Sequence, residues 1–162
     1  MEFKIGDVVS LKNNRKKIMT VSRFLKVKDI CGIAPKIIIK RMLERGYSKR
    51  DDVIQCTWFK GSGQMDDYYK PERLRMEPPC EAVPVFEDGD VVYLKSNPEK
   101  LMTVSFVIDS GKISKYGSKY LKNQLHTRGY ARGEDAVQCV WFYEGSEITL
   151  EYFKPQMLAK KS

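Results

Sequence analysis

Histidine and closely spaced cysteine are scarce in this 162-residue chain, which holds one histidine, His126, and four cysteines without a CxxC pair. Zinc sites draw mainly on such ligands at close spacing, so we expect no metal and no cofactor. The chain also lacks a Gly-rich phosphate loop followed by Lys and Ser or Thr, and no nucleophile recurs beside a base. We therefore expect a protein that is not an enzyme, with His126 as an ordinary surface or interface residue.

Long apolar runs are missing as well. No stretch of about 18 apolar residues is present, and the start of the chain, Met1-Glu2-Phe3-Lys4, does not have the apolar core of a signal peptide. These absences predict a soluble, cytoplasmic protein with no membrane partner. Cys56 and Cys139 occupy the same position in two largely apolar stretches, which favours small buried side chains in a reducing compartment.

What the chain does contain is an internal repeat. The segment Gly6-Asp7-Val8-Val9-Ser10-Leu11-Lys12 returns as Gly89-Asp90-Val91-Val92-Tyr93-Leu94-Lys95, and Gln55-Cys56-Thr57-Trp58-Phe59 returns as Gln138-Cys139-Val140-Trp141-Phe142. A period this long, with one apolar set per copy, indicates two small domains rather than a solenoid. We predict a first repeat at 1–77, a Pro-rich linker at 78–84 and a second repeat at 85–162.

Each repeat has the pattern of a small antiparallel β domain. Strands are predicted at Val8–Leu11, Ile18–Leu25 and Val53–Phe59, and again at Val91–Leu94, Leu101–Ile108 and Ala136–Phe142. The Gly-Asp pair before the first strand predicts a turn that the aspartate side chain orders. Four or five short strands in about 70 residues predict a mainly β protein with short helices, namely two tandem SH3-like antiparallel barrels.

One inserted helix is predicted in each repeat. In the first, Pro35 suits the first helical turn, Ile38, Ile39, Met42 and Leu43 form an apolar stripe, and Gly46 suits the C-terminal cap. In the second, Ser118 is a possible N-cap, and Leu121 and Leu125 lie four residues apart before Gly129.

Charge separates the two repeats. Residues 1–80 hold 18 Lys and Arg against 10 Asp and Glu, whereas residues 81–162 hold 11 of each. A basic surface of this kind is typical of phosphate contact, and an aromatic among cations suits base stacking. The predicted nucleic-acid-binding residues are Arg15, Lys16, Lys17, Lys40, Arg41, Arg45, Tyr47, Lys49 and Arg50.

Other interpretations remain open for these residues. The cations could form a solvated face that aids solubility, and Tyr47 recurs as Tyr130 in the neutral repeat, which favours a structural role. Trp58 is in phase with Ile54 and Cys56, so it is expected in the core, while Phe59 and Phe142 point the other way and could line a groove or seat the helix. Weak, sequence-tolerant binding of DNA or RNA is the first hypothesis, and an adaptor that binds a larger acidic protein is the alternative.

The strings Gly-Asp-Val-Val-x-Leu-Lys, Met-Thr-Val and Cys-x-Trp-Phe, with a later Gly-rich turn and a terminal Phe/Tyr-x-Pro-x-x-Leu-like segment, resemble the YodC-like family of small bacterial proteins. The resemblance covers both repeats except the helical insertion, which ordinary members lack. It implies a small SH3-like β-barrel of bacterial or mobile-element origin. It assigns no catalytic or binding residue.

Overall fold

The computed structural model describes residues 2–30, 36–78, 83–108, 123, 125–126, 130, 134–143 and 147–162. In the first repeat the elements are β1 (Val8–Leu11), β2 (Asn14–Lys26), α1 (Val27–Ile30), α2 (Lys36–Glu44), β3 (Asp52–Lys60), β4 (Gly63–Tyr69), a 3₁₀ turn (Pro71–Arg73) and β5 (Leu74–Met76). In the second they are β6 (Val91–Leu94), β7 (Leu101–Ile108), β8 (Ala136–Tyr143), β9 (Glu147–Phe153), a 3₁₀ turn (Pro155–Met157) and β10 (Leu158–Lys160).

The strands form two five-stranded antiparallel sheets with the same order. The first is β4-β3-β2-β1-β5, and the second, taken from the same end, is β9-β8-β7-β6-β10. The central strand of each sheet carries a register shift, between Val21 and Arg23 in β2 and between Val104 and Phe106 in β7. Such bulges bend and twist a strand, so each sheet curves at the same place. The predicted mainly β class is confirmed.

The Gly-Asp pairs form the predicted turns. Gly6 and Gly89 both have a φ of +90°, a conformation that favours glycine. Asp7 Oδ2 accepts a 2.6 Å hydrogen bond from the Lys4 N–H, and Asp90 Oδ2 accepts a 2.7 Å bond from the Glu87 N–H. The interpretation of both aspartates as turn residues is confirmed.

Residues 36–44 of the inserted segment are helical, as predicted, while Pro35, expected in the first helical turn, lies outside the described residues. Met42 of α2 is buried with Val27, Val53 and Tyr68 in a small cluster at one end of the first sheet. Gly46 ends the helix at φ +79°, and its N–H donates to the Leu43 carbonyl. The short helix α1 was not predicted. Its buried positions, Val27 and Ile30, continue the apolar pattern of β2 directly into a helical turn.

Two predictions fall largely on residues outside the described ranges. In the second repeat these include Ser118, Leu121 and Gly129, so its helix stays a prediction, although Leu125 is buried and its carbonyl accepts from the Tyr130 N–H. Residues 79–82 of the linker also lie outside them.

The two repeats share a hydrophobic core. Most of the side chains in the cluster beneath the second sheet come from the second repeat, yet this cluster also buries Phe59 and contacts Ile5, both from the first repeat. The Phe59 ring meets Trp141 edge-on, with centroids 5.3 Å apart. Phe59 therefore packs against the other repeat, and the expectation that it seats the inserted helix is wrong. Among the described residues, no helix is long and apolar enough to cross a membrane.

Candidate interaction surfaces

The junction between the repeats joins two different faces. On the first repeat, Thr20, Phe59 and Ser62 form what we call the projecting face, and on the second, Ser96, Asn97 and Trp141 form the receiving face. The Phe59 N–H donates to Asn97 Oδ1 at 3.0 Å, and the Trp141 indole N–H donates to the Ser62 carbonyl at 3.1 Å. Because unlike faces meet, the junction is heterologous rather than two-fold symmetric.

A buried polar pair fixes the centre of this junction. The Thr20 hydroxyl donates to Ser96 Oγ at 2.9 Å and accepts from the Ser96 N–H at 3.1 Å. Thr20 is fully buried and Ser96 is 8% exposed, so the Ser96 N–H depends on Thr20 for its acceptor, while the Ser96 hydroxyl also donates to Asn97 Oδ1 at 3.2 Å.

The first repeat carries an open basic cleft of about 550 Å³. It is lined by Leu11, Lys12, Asn13, Lys17, Arg45, Tyr47, Asp67, Tyr69, Glu72 and Arg73. Four of these side chains are cationic and two are acidic, which leaves a positive excess. The cleft brings together Lys17, Arg45 and Tyr47 of the predicted set. The prediction missed Lys12, which lies in the β1–β2 turn before the Arg15–Lys17 run, and Arg73, which lies in the 3₁₀ turn after β4.

Lys17 is held inside the cleft by aromatic rings. Its Nζ lies 3.7 Å from the centre of the Trp58 ring and donates a 2.7 Å hydrogen bond to the Tyr69 hydroxyl. Partial burial lowers the pKa of Lys17, and the nearby Asp67 carboxylate opposes that effect. The ammonium is thus already engaged by a cation–π contact and a hydrogen bond.

Two other predicted cations are also paired. Arg45 lies 3.2 Å from Asp67, and Lys40 lies 3.9 Å from Glu44 on the next helical turn. The remaining five cations, Arg15, Lys16, Arg41, Lys49 and Arg50, are exposed and make no ion pair within the described parts of the chain. They lie at the start of β2, on α2 and after it, and do not converge on one cleft.

Tyr47 is buried. It is 3% exposed, its hydroxyl points to the Tyr68 carbonyl at 3.4 Å, and Lys70 Nζ lies 5.2 Å from its ring centre. Tyr130 has the matching arrangement, with Lys154 Nζ 5.8 Å from its ring. A nucleobase could stack on Tyr47 only if the ring left the core, so this burial contradicts the stacking role and favours the structural one.

The second repeat exposes an apolar patch. Phe142 is 66% and Ile148 70% exposed, and they line a hollow of about 190 Å³ with Val91 and Leu101, which are 41% and 44% exposed. We call these four residues the apolar patch. Only Phe142 was expected to line a groove. Among the other three residues, Ile148 could have been noticed in the sequence, because this isoleucine stands where the first repeat has the polar Gln64.

The aromatic residues at the ends of β4 and β9 and the tryptophan of β8 are structural. Tyr68, Tyr69, Tyr152 and Phe153 are buried, and Trp141 is 5% exposed. Trp58 is only half-buried, because one side of its ring faces Lys17 rather than a neighbouring repeat.

Within the described ranges, no group of three His, Cys, Asp or Glu side chains is placed to hold a metal ion. His126 is exposed. The chain matches no family model, no curated protein and no solved structure.

Proposed function

We propose that this chain is a non-enzymatic protein-interaction adaptor built from two small SH3-like barrels of the YodC-like kind. The barrel assignment is supported by the identical strand order of the two sheets and by the bulge that bends the central strand of each. The adaptor role rests on the apolar patch. Adjacent large apolar side chains that are 41% to 70% exposed are typical of a protein-binding surface.

Site-specific photo-crosslinking tests the adaptor role. A photoreactive side chain at Leu101 is activated in an extract of the source cells, and crosslinked bands are compared between the native chain and Phe142→Ser. Val85→Ser is the matched control, because Val85 is 83% exposed but lies outside the patch. We expect a discrete band that Phe142→Ser removes and Val85→Ser retains. No band, or one indifferent to Phe142→Ser, would contradict the proposal.

Weak nucleic-acid binding is the second candidate. It is supported by the exposed, unpaired Arg15, Lys16, Arg41, Lys49 and Arg50 in the described part of the first repeat. Such cations can neutralise phosphates and release counterions, which makes affinity fall steeply as salt rises.

Fluorescence anisotropy of labelled single- and double-stranded DNA and RNA, between about 50 and 200 mM salt, tests this candidate. Replacing Lys16, Lys49 and Arg50 by Gln should lower the salt slope by about three, which is about one for each phosphate contact. Lys95→Gln, in the neutral repeat, is the control. Absence of binding at low salt would refute nucleic-acid binding and leave the adaptor role unaffected.

A further inference from the structure

The heterologous junction leaves one copy of each face unused. Two of the three projecting residues recur in the second repeat and two of the three receiving residues recur in the first, and within the described residues these counterparts take no part in the internal junction. The projecting residues Thr20 and Phe59 recur as Thr103 and Phe142, at an offset of 83. Thr103 is exposed and Phe142 belongs to the apolar patch, so the open projecting face and the patch coincide.

The open receiving face adjoins the basic cleft and shares Asn13 with it. The residues Ser96, Asn97 and Trp141 correspond to Asn13, Asn14 and Trp58 of the first repeat. Asn13 lines the cleft and Asn14 is exposed beside it. The asparagine that accepts the Phe59 N–H and the tryptophan that meets the Phe59 ring are therefore both present again on the unused face.

We propose that a second copy of this chain docks head to tail, with Phe142 of one copy on the Asn14–Trp58 face of the next. This proposal rests on the proposed adaptor function and identifies the partner as another copy of the same chain. The junction within one chain shows how the two copies would fit, because there the same two kinds of face are already in contact. A heterologous contact that repeats from copy to copy produces either a closed ring or an open series of oligomers.

Charge complementarity supports a second copy over an unrelated apolar partner. Two apolar residues of the internal cluster, Ile5 and Met157, are replaced on the open faces by Asp88 and Arg73. These residues are exposed and opposite in charge, and they lie on the two faces that would meet. The first repeat as a whole is basic and the second is neutral, which further favours contact between unlike repeats.

Lys17 makes the open receiving face weaker than the internal one. Its ammonium covers the Trp58 ring at 3.7 Å, whereas Trp141 is covered by the Phe59 ring. Phe142 has to share Trp58 with that ammonium. The intermolecular contact is consequently reversible, and the repeats within one chain stay the tighter pair because they are also covalently joined.

Sedimentation velocity of the full chain, from about 10 µM to 1 mM, tests the proposal, since this range covers weak associations. The native chain should sediment faster as its concentration rises. Phe142→Ser removes the projecting side chain, and Asn13→Arg places a bulky cation where the internal junction buries Ser96. Each variant alone should stay monomeric, with a dissociation constant raised roughly thirtyfold or more. Val85→Ser should associate like the native chain.

Mixing the two variants identifies the mode of docking. Phe142→Ser keeps a working receiving face and Asn13→Arg keeps a working projecting face, so an equimolar mixture should form dimers and stop there. A symmetric dimer through the patch would let Asn13→Arg associate on its own, because that variant keeps the patch, and would give no additional dimer on mixing with Phe142→Ser; this result would overturn the head-to-tail arrangement. A native chain that stays monomeric throughout, or association that neither variant weakens, overturns self-docking. A Phe142-dependent crosslink to a different protein would then still support the adaptor function.

Discussion

Gly6 and Gly89 offer a matched test of the inter-repeat junction. Both have a φ of +90°, so alanine meets the same backbone strain at either position. Placing an L-residue in this left-handed region costs about 1–2 kcal/mol. The surroundings differ, because nothing lies within 4 Å of a Cβ at position 89, whereas a Cβ at position 6 would overlap the Gln156 carbonyl and lie 2.6 Å from its carbon.

The additional cost at position 6 comes from the other repeat. Gln156 belongs to the 3₁₀ turn of the second repeat, so its backbone can move away only by separating the repeats or deforming that turn. Overpacking of this kind typically costs about 1–3 kcal/mol. We therefore expect Gly89→Ala to lower the free energy of unfolding by about 1–2 kcal/mol, and Gly6→Ala to lower it by a further 1–3 kcal/mol or so.

Urea denaturation followed by tryptophan emission measures both values. Trp141 lies at the junction, so its emission should also shift towards the red in native Gly6→Ala, while Gly89→Ala leaves it unchanged. Equal losses of stability, within about 0.5 kcal/mol, would refute the tight junction. An unchanged emission maximum in Gly6→Ala would contradict it independently.

Three further outcomes are expected. Thr20→Val leaves the buried Ser96 N–H without its acceptor and should cost about 1–3 kcal/mol in thermal or urea unfolding, while the exposed equivalent Thr103→Val should change stability by less than about 0.5 kcal/mol. Comparable losses would count against the buried pair. The hydrogen bond from Lys70, 2.8 Å long, together with hydrogen bonds from the Ser48 N–H and hydroxyl, lowers the pKa of Asp51 from 3.8 to about 2, so this carboxylate stabilises the fold above its ordinary pKa and loses that effect as the pH falls towards 2. Carbon-detected NMR titration should show the Asp51 pKa rise in Lys70→Met, and an unchanged pKa would exclude the ion pair as the cause. Burial raises the pKa of the Cys56 thiol to about 12. Alkylation at pH 8 followed by peptide mapping should therefore find Cys56 protected until the protein unfolds. Labelling of the folded protein at the rate of a free thiol would contradict this burial.

The strand framework could be predicted from the sequence because its signals are local. Alternating apolar residues and the Gly-Asp turns define β1 and β6, and both strands lie where they were expected. The end of α2 at Gly46 was equally predictable, since a glycine directly after an apolar helical stripe is typical of a C-terminal cap with positive φ.

The surfaces could not be predicted because they depend on tertiary neighbours. Phe59 and Phe142 occupy the same place in matching strings, yet Phe59 is 8% and Phe142 66% exposed, since only Phe59 meets another repeat. Tyr47 looked like a stacking residue among cations, but its ring lies beneath Lys70 in a buried cluster. Arg73 joins the basic cleft only because the 3₁₀ turn after β4 returns to the β1–β2 turn.

The shared core has a consequence for how the protein is dissected. Residues 1–78, produced alone, would expose Phe59 and Ile5, and residues 83–162 alone would expose Trp141, since each half now covers these side chains on the other. The two halves should therefore behave as complementary fragments that recover a native-like fold only when co-expressed. The boundary between the repeats in the sequence is therefore not a boundary between two independent cores, because side chains pack across it.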